Sequence, residues 1–259
     1  MKTIKTFDGK QWDRDDILDK MIDDSFYYGY LGKNALSSSS MKKLVQSPKS
    51  YVRSLTEKSD SSALSLGRLT HLAVLEPHRL DDLHIIDGTK ATKAYKDAVI
   101  NFGSDSVYTN SEFTSARFIS DAVWKCSEAR GLLEGSMFEV PAIEMIDGLA
   151  VRGKADALKH NMVIDLKTTN DPIDRWKWSA KNFMYGLQAA LYMQLFQVDS
   201  FIFIVVNKDS KDIGIFDCSG EFISSGWDDV MKAVSNYKYF IDVPDSKSII
   251  DNYVTYGTL

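Results

Sequence analysis

Apolar positions along this chain change their spacing several times, and each change marks an element. From 61 to 76, Leu64, Gly67, His71 and Val74-Leu75 recur every three or four residues before Pro77, which predicts a helix with one inward face. A second helix is predicted over 111–133, with Phe113, Ala116, Ile119, Val123 and Cys126 inward, and a third over 181–198 in an almost unbroken apolar run. Shorter helices are expected from the serine run at 37–40, capped by a Ser and ending before Pro48, and around Tyr51, Arg53 and Leu55. A C-terminal helix is expected over 227–240. Strand patterns cover 137–146, 151–159, 162–169, 201–207 and 212–218, the first three joined by turns at Asp147-Gly148 and His160-Asn161. Residues 1–35, acidic and aromatic, read as an irregular arm with one short helix near 15–22.

Helices, then three antiparallel strands, then a helix and further strands predict an α/β fold: a mixed central β-sheet flanked by helices, with an N-terminal helical cap. The 259 residues suit a single domain, with arm and cap at 1–60, a catalytic core at 61–218, and a C-terminal helix and tail at 219–259. No apolar run approaches the ~18 residues of a membrane span. The charged N-terminus lacks the apolar segment of a secretion signal, so a cytoplasmic protein is expected. Two cysteines, Cys126 and Cys218, cannot build a disulfide framework or a zinc or iron–sulfur site. A net charge of −5 argues against coating nucleic acid by bulk attraction but leaves room for a local basic channel.

The candidate chemistry is concentrated in 151–169. With a two-residue turn at 160–161, Lys159 pairs with Met162, and counting outward sets Asp156 opposite Asp165, about 5 Å away. Alternation puts Lys167 beside Asp165, and Lys154 and Arg152 beside Asp156, all on one face. Two carboxylates and several cations on one surface suit a divalent metal holding a phosphodiester. They also suit a plain cross-strand ion pair, and Asp-x-Lys recurs at Asp8-Lys10, Asp209-Lys211 and Asp245-Lys247 without such a setting. His71 shares its helix face with Gly67, and is either a satisfied core residue or a metal ligand. Gln188 and Tyr192, four apart in an apolar helix, make either an exposed stripe or a pair that positions phosphate or water. Glu139 is a surface glutamate or a further ligand, and Ser39 a helix cap or a phosphate donor. Lys42, Lys43, Lys49, Arg53 and Arg68 form either a solvated face or a set of DNA-backbone contacts.

Taken in order, His71, Asp156, Asp165-Leu166-Lys167 and Gln188-x-x-x-Tyr192 resemble the PD-(D/E)XK nuclease superfamily in its RecB-like branch, and most closely the phage and prophage exonuclease VIII (RecE) nuclease domain. Leu36–Tyr51 with Ser47-Pro48, Leu66-Gly67-x-x-x-His71-x-x-x-Leu75-Glu76-Pro77 and Gly148–Thr169 carry the resemblance, which spans roughly residues 36–206. It implies a Mg²⁺- or Mn²⁺-dependent DNA exonuclease in which His71, Asp156, Asp165 and the Leu166 carbonyl hold metal and Lys167 orients or helps deprotonate the attacking water. Gln188 and Tyr192 complete that site, and Glu139 matches a glutamate of the related lambda-type exonucleases. Ser39, Lys43, Arg53, Arg68, Arg152 and Lys154 would contact DNA. Also implied are digestion of double-stranded ends from the 5′ side, a role in phage-type DNA recombination beside a single-strand annealing protein, and a ring-shaped homo-oligomer, possibly a tetramer. Ala155 stands where the family has Pro, and Lys154 where it more commonly has Arg. The alternatives are a structure-specific or restriction-like endonuclease on the same core, and a non-catalytic protein that binds DNA ends.

Overall fold

The structure, a computed structural model, describes residues 2–57 and 62–255. Its centre is a five-stranded sheet in which strands follow chain order: β1 (Met137–Ile146), β2 (Leu149–Lys159), β3 (Met162–Thr169), β4 (Ser200–Asn207) and β5 (Ile213–Asp217). Only β3 and β4 run parallel, in register from Met162↔Ser200 to Thr169↔Asn207, and the crossover between them carries a helix. The mixed sheet flanked by helices predicted from the sequence is therefore the observed class. At Asp147 and Gly148, both at positive φ, the chain makes the tight turn that the Asp-Gly pair favours; at the second turn His160 alone takes that conformation.

One apolar core joins the cap to the sheet and the C-terminal helix. Leu36, Met41, Leu44 and Tyr51 pack with Val151, Phe201 and Phe203 of the sheet and with Val230 and Val234. The cap helices α1 (Ser38–Gln46) and α2 (Pro48–Thr56) have sequence-coded ends. Ser37 and Ser40 form a reciprocal capping box, and Ser47 ends α1 while capping α2, with Pro48 at its first position. Helix α3 (Ser62–Leu75) covers the other face with α4 (Asn110–Lys125), burying Val74, Leu75, Ile119 and Val123 against Ile164 and Leu166. Leu64, placed on the inward face by its spacing, is half-exposed, and Ser61 lies outside the described residues.

Other expectations need correction. The helix predicted over 111–133 breaks at Cys126, whose extended backbone starts a separate helix at Ser127–Leu133. The helix predicted over 181–198 is two: Trp176–Asn182 and α5 (Tyr185–Phe196), separated at Met184 by a left-handed backbone, φ 53°. The C-terminal helix α6 runs Gly220–Asn236, starting earlier than expected on the Ser219 cap, and passes into a π-helical turn at Tyr237–Ile241. The arm is more ordered than its composition suggests. It forms a two-stranded hairpin (Thr3–Lys5 with Gln11–Asp13), a helix at Arg14–Lys20, and an aromatic cluster of Trp12, Phe26 and Tyr30.

Candidate active site

The site forms where the sheet comes apart. Pairing between β2 and β3 covers Lys159↔Met162, Leu158↔Val163 and Ala157↔Ile164, and stops one residue before Asp156 would meet Asp165. The register read from the sequence is correct up to that point; the direct pairing of the two acids is not. Asp156 instead turns its carboxylate into the gap, where Oδ2 accepts the Leu166 N–H at 2.8 Å. Pairing with β1 fails at the same residue. Phe138↔Ala157 and Val140↔Ala155 are paired, but Glu139 between them has φ 52° and leaves the ladder. Asp156 thus lies between two openings, flanked by Glu139 and Asp165. Beyond the splay, Leu36 of the cap takes the vacated edge of β2: its N–H donates to Ala150 and its carbonyl accepts from Arg152 N–H.

Helix α3 brings His71 to the same point, with Nδ1 3.4 Å from Asp156 Oδ2. One ligand atom each from His71, Glu139 and Asp156 fall within 4.8 Å of one another, the one such group among the described residues. Glu139, read from the sequence as a surface glutamate or a further ligand, therefore joins His71 and Asp156. Burial, then the charges of Asp156 and Glu76, push its carboxyl up to about 8. A glycine on the His71 face, Gly67, would allow α3 to approach the sheet or a ligand closely. A methyl group there would meet Thr168 Oγ1 at 3.9 Å, an ordinary contact, so close approach does not require the glycine.

Asp165 lies on the other side of Asp156 and is 1% exposed. Its Oδ1 accepts from Gln188 Nε2 at 2.6 Å, and its Oδ2 ion-pairs with Lys167 while no hydrogen-bond donor is aligned on it. Burial raises the Asp165 carboxyl above its usual range, against the pull of Lys167. Burial also opposes the Lys167 charge, but Asp165 and Asp156 outweigh it and hold the ammonium above its ordinary value. Gln188 and Tyr192 are both buried, so the exposed-stripe reading of α5 is wrong. Tyr192 packs over Gly153, where a Cβ would stand 3.0 Å from its ring, which is how α5 lies so close to β2. Burial raises the Tyr192 phenol well above its ordinary value.

The candidate DNA contacts divide. Arg152 is 6% exposed; it donates to the Leu31 carbonyl at 3.3 Å and lies 4.1 Å from the Tyr27 ring centre. Lys154 pairs with Asp24 at 2.8 Å, beside Tyr27 and Tyr28. The arm supplies a partner to each of these two cations. Arg68 pairs with Asp105 at 2.6 Å, and Lys49 donates to the Asp251 carbonyl. Lys43 and Arg53 are exposed, as is Ser39, since the cap of α1 is made by Ser37 and Ser40 instead. Tyr185, not singled out from the sequence, lies beside Lys167 and beside Lys42, one of the candidate DNA contacts. The Tyr185 ring centre lies 5.2 Å from Lys167 Nζ and 4.5 Å from Lys42 Nζ. Tyr185 sits three residues before Gln188, a helical spacing that signals a shared face.

The donor set suits a small divalent cation. It offers carboxylate oxygens and one imidazole, with no thiolate, and it holds a buried carboxylate oxygen that lacks a hydrogen-bond donor. Such an ion would be held by His71, Glu139 and Asp156; Asp165, expected as a ligand, lies outside that group, with its oxygens on Gln188 and Lys167.

No curated protein matches the chain by sequence. Among solved structures it is similar in fold to a protein from Eubacterium rectale provisionally assigned as an exonuclease: TM-score 0.62, 15% identity, covering 90% of this chain and 94% of the other. An alkaline exonuclease from Laribacter hongkongensis (TM-score 0.44, 14% identity, 87% and 98% covered) and a phage-related exonuclease from Haemophilus somnus 129PT (0.39, 17%, 80% and 95%) are more remote and add nothing to the argument. Residues 37–243 match the family described as a PDDEXK-like domain of unknown function (DUF3799). With that match over most of its length, the chain belongs to this PDDEXK-like family, and so to the PD-(D/E)XK nuclease superfamily, whose enzymes hydrolyse phosphodiester bonds.

Proposed function

We propose that the protein is a Mg²⁺-dependent DNA exonuclease that degrades linear double-stranded ends, from the 5′ side, leaving 3′ single strands for an annealing partner. The observation that supports the reading is the double break in the sheet at Asp156, where ligand atoms of His71 and Glu139 come within 4.8 Å of Asp156 and of each other. The provisional assignment of the Eubacterium rectale protein as an exonuclease points the same way, while polarity, the ring-shaped oligomer and a cytoplasmic place in a bacterial or phage-infected cell follow from the resemblance to exonuclease VIII. Among the described residues no helix is long and apolar enough to cross a membrane.

A divalent ion bound here supplies charge neutralisation at the scissile phosphate and a more acidic water. The chain's own groups do the rest. The buried ion pair with Asp165 keeps Lys167 an ammonium, so its role is to hold water or a phosphate oxygen by charge and hydrogen bond rather than to take the first proton. Gln188 fixes the Asp165 carboxylate through Oδ1, while Oδ2 pairs with Lys167. The Leu166 N–H anchors Asp156, whose Oδ2 lies 3.4 Å from His71 Nδ1.

Linear duplex DNA with Mg²⁺ tests this. The wild type is expected to digest it, with chelation abolishing digestion, and Asp165→Ala or Lys167→Ala lowering the rate by roughly 10²-fold or more, as for other preorganised electrostatic groups. Undiminished digestion by those variants sinks the assignment. Nicking of closed circular DNA would replace the exonuclease with an endonuclease on the same core.

A further inference from the structure

Next to Lys167 is a wall that the catalytic reading leaves unused. Lys42 reaches from α1 to within 4.5 Å of the Tyr185 ring centre, and among the described residues no carboxylate lies within ion-pairing distance of it. Burial, and after it the Lys167 charge, pushes this ammonium down to about 7. A half-buried lysine without a counter-ion is unfavourable unless an anion arrives. Tyr185 continues outward to Phe183, with ring centres 5.8 Å apart. The left-handed backbone at Met184 turns the chain there and leaves Phe183 60% exposed, a poor position for a ring that contributes only to packing. The preceding helix exposes Lys177, Trp178 and Lys181, and the turn before it exposes Arg175, none of the three cations ion-paired among the described residues. In a chain of net charge −5, this is a local cationic and aromatic approach to the site.

We propose that Lys42, Tyr185 and Phe183 form the subsite for an unpaired nucleotide next to the scissile phosphate, with Lys42 holding a phosphate oxygen and the Phe183 ring stacking on the base. Aromatic rings recognise single strands in this way because every base presents a π-face whatever its identity. The proposal rests on the nuclease reading and adds a substrate requirement to it: at least one base at the end must be unstacked from its partner strand before cleavage.

Binding can be read without turnover. Oligonucleotides carrying 2-aminopurine at successive positions from the end, single-stranded or in a blunt duplex, are titrated with metal-free protein in EDTA. The wild type is expected to quench the probe near the end, and Phe183→Ala to lose the quench and bind about 5-fold more weakly or worse. Phe183→Trp should retain both. Lys42→Gln should reduce the slope of log affinity against log salt by about 0.7, the value for one phosphate contact on a single strand, and Lys42→Arg should restore it. Unfolding temperatures of the variants separate a binding defect from a folding defect, and Lys42→Arg and Phe183→Trp keep the test open if the truncations are unstable. Unchanged quench in Phe183→Ala, or an unchanged salt slope in Lys42→Gln, overturns the proposal. If the wild type digests DNA and these variants behave like it, only the subsite falls; if the wild type neither binds nor digests DNA, the nuclease reading falls with it.

Discussion

Glu139 is the residue whose placement is hardest to account for by packing alone. A non-glycine residue at φ 52° inside a strand is strained, by an amount on the order of 1–3 kcal/mol. Here it also puts a half-buried acid beside two others. Its carboxyl, ordinarily near 4.5, is raised to about 8 by burial and by the Asp156 and Glu76 charges. The folded value lies above the unfolded one, so between pH 4.5 and 8 the folded protein binds more protons than the unfolded chain, and stability falls as pH rises through that window. Metal-free protein should therefore lose stability from pH 5 to 8 with a slope of up to about 1.4 kcal/mol per unit from this group. Denaturant titrations across that range check it. Glu139→Gln, which keeps the shape and cannot ionise, should flatten the slope; an identical slope in the variant would remove Glu139 as its source. A saturating divalent cation should also flatten it, by competing with the proton for the same oxygens.

At the scale of elements, the site depends on how α5 is held. Gln188 and Tyr192 reach it only because α5 crosses two close surfaces, Gly153 on β2 and Gly226 on α6. A Cβ on Gly226 would overlap the Gly186 carbonyl, two residues before Gln188, and a helix backbone cannot yield as a side-chain tip does. Gly226→Ala should cost about 3 kcal/mol or more by forcing the helices apart, and it should lower the digestion rate in the fraction that stays folded by displacing Gln188. Thermal unfolding, with activity normalised to folded protein, measures both; a variant of wild-type stability and rate would show the crossing to be looser than drawn. This arrangement also explains what could be read in advance. The β2–β3 hairpin and the start of α1 were legible because their signals are local: a two-residue turn, a capping serine, alternation over a few residues. The break at Phe183-Met184 was not, since no Gly or Pro marks it and the apolar run continues across it. Polar residues on one helix face look alike whether they meet solvent or a buried acid, so Gln188 stayed ambiguous until α5 was placed. The contacts of Arg152 and Lys154 with the arm were not legible for a related reason. Their partners, Leu31 and Asp24, lie 121 and 130 residues away, and no spacing rule connects them.

For the whole molecule, the fold sets Asp156 near both Glu139 and Asp165 in a chain that is already net negative, and burial, with the Asp156 charge adding to it, raises both of those carboxyls. The surrounding cations relieve this only in part. Lys167 is committed to Asp165, while Lys154 is drawn off by Asp24 of the arm and Arg152 is held under Tyr27. The native state thus keeps an electrostatic deficit at its centre that a divalent cation would remove. An ion that binds the folded protein alone stabilises it by RT ln(1 + [L]/Kd), about 2.7 kcal/mol at 100 times Kd. For a chain of this size that corresponds to roughly 5–10 °C in unfolding temperature. Asp156 shares its ligand group with His71 and Glu139, so Asp156→Asn should remove most of this increment. The asparagine oxygen can still accept the Leu166 N–H, so the metal-free variant should unfold within a few degrees of the wild type. A surface acid such as Asp105, paired with Arg68 and remote from these ligands, should keep the full increment when changed to Asn. Calorimetric scans of the three proteins with and without Mg²⁺ decide the matter. An equal rise in all three would mean that the cation acts on the general negative charge of the surface, and that the acids gathered at the break in the sheet are not its site.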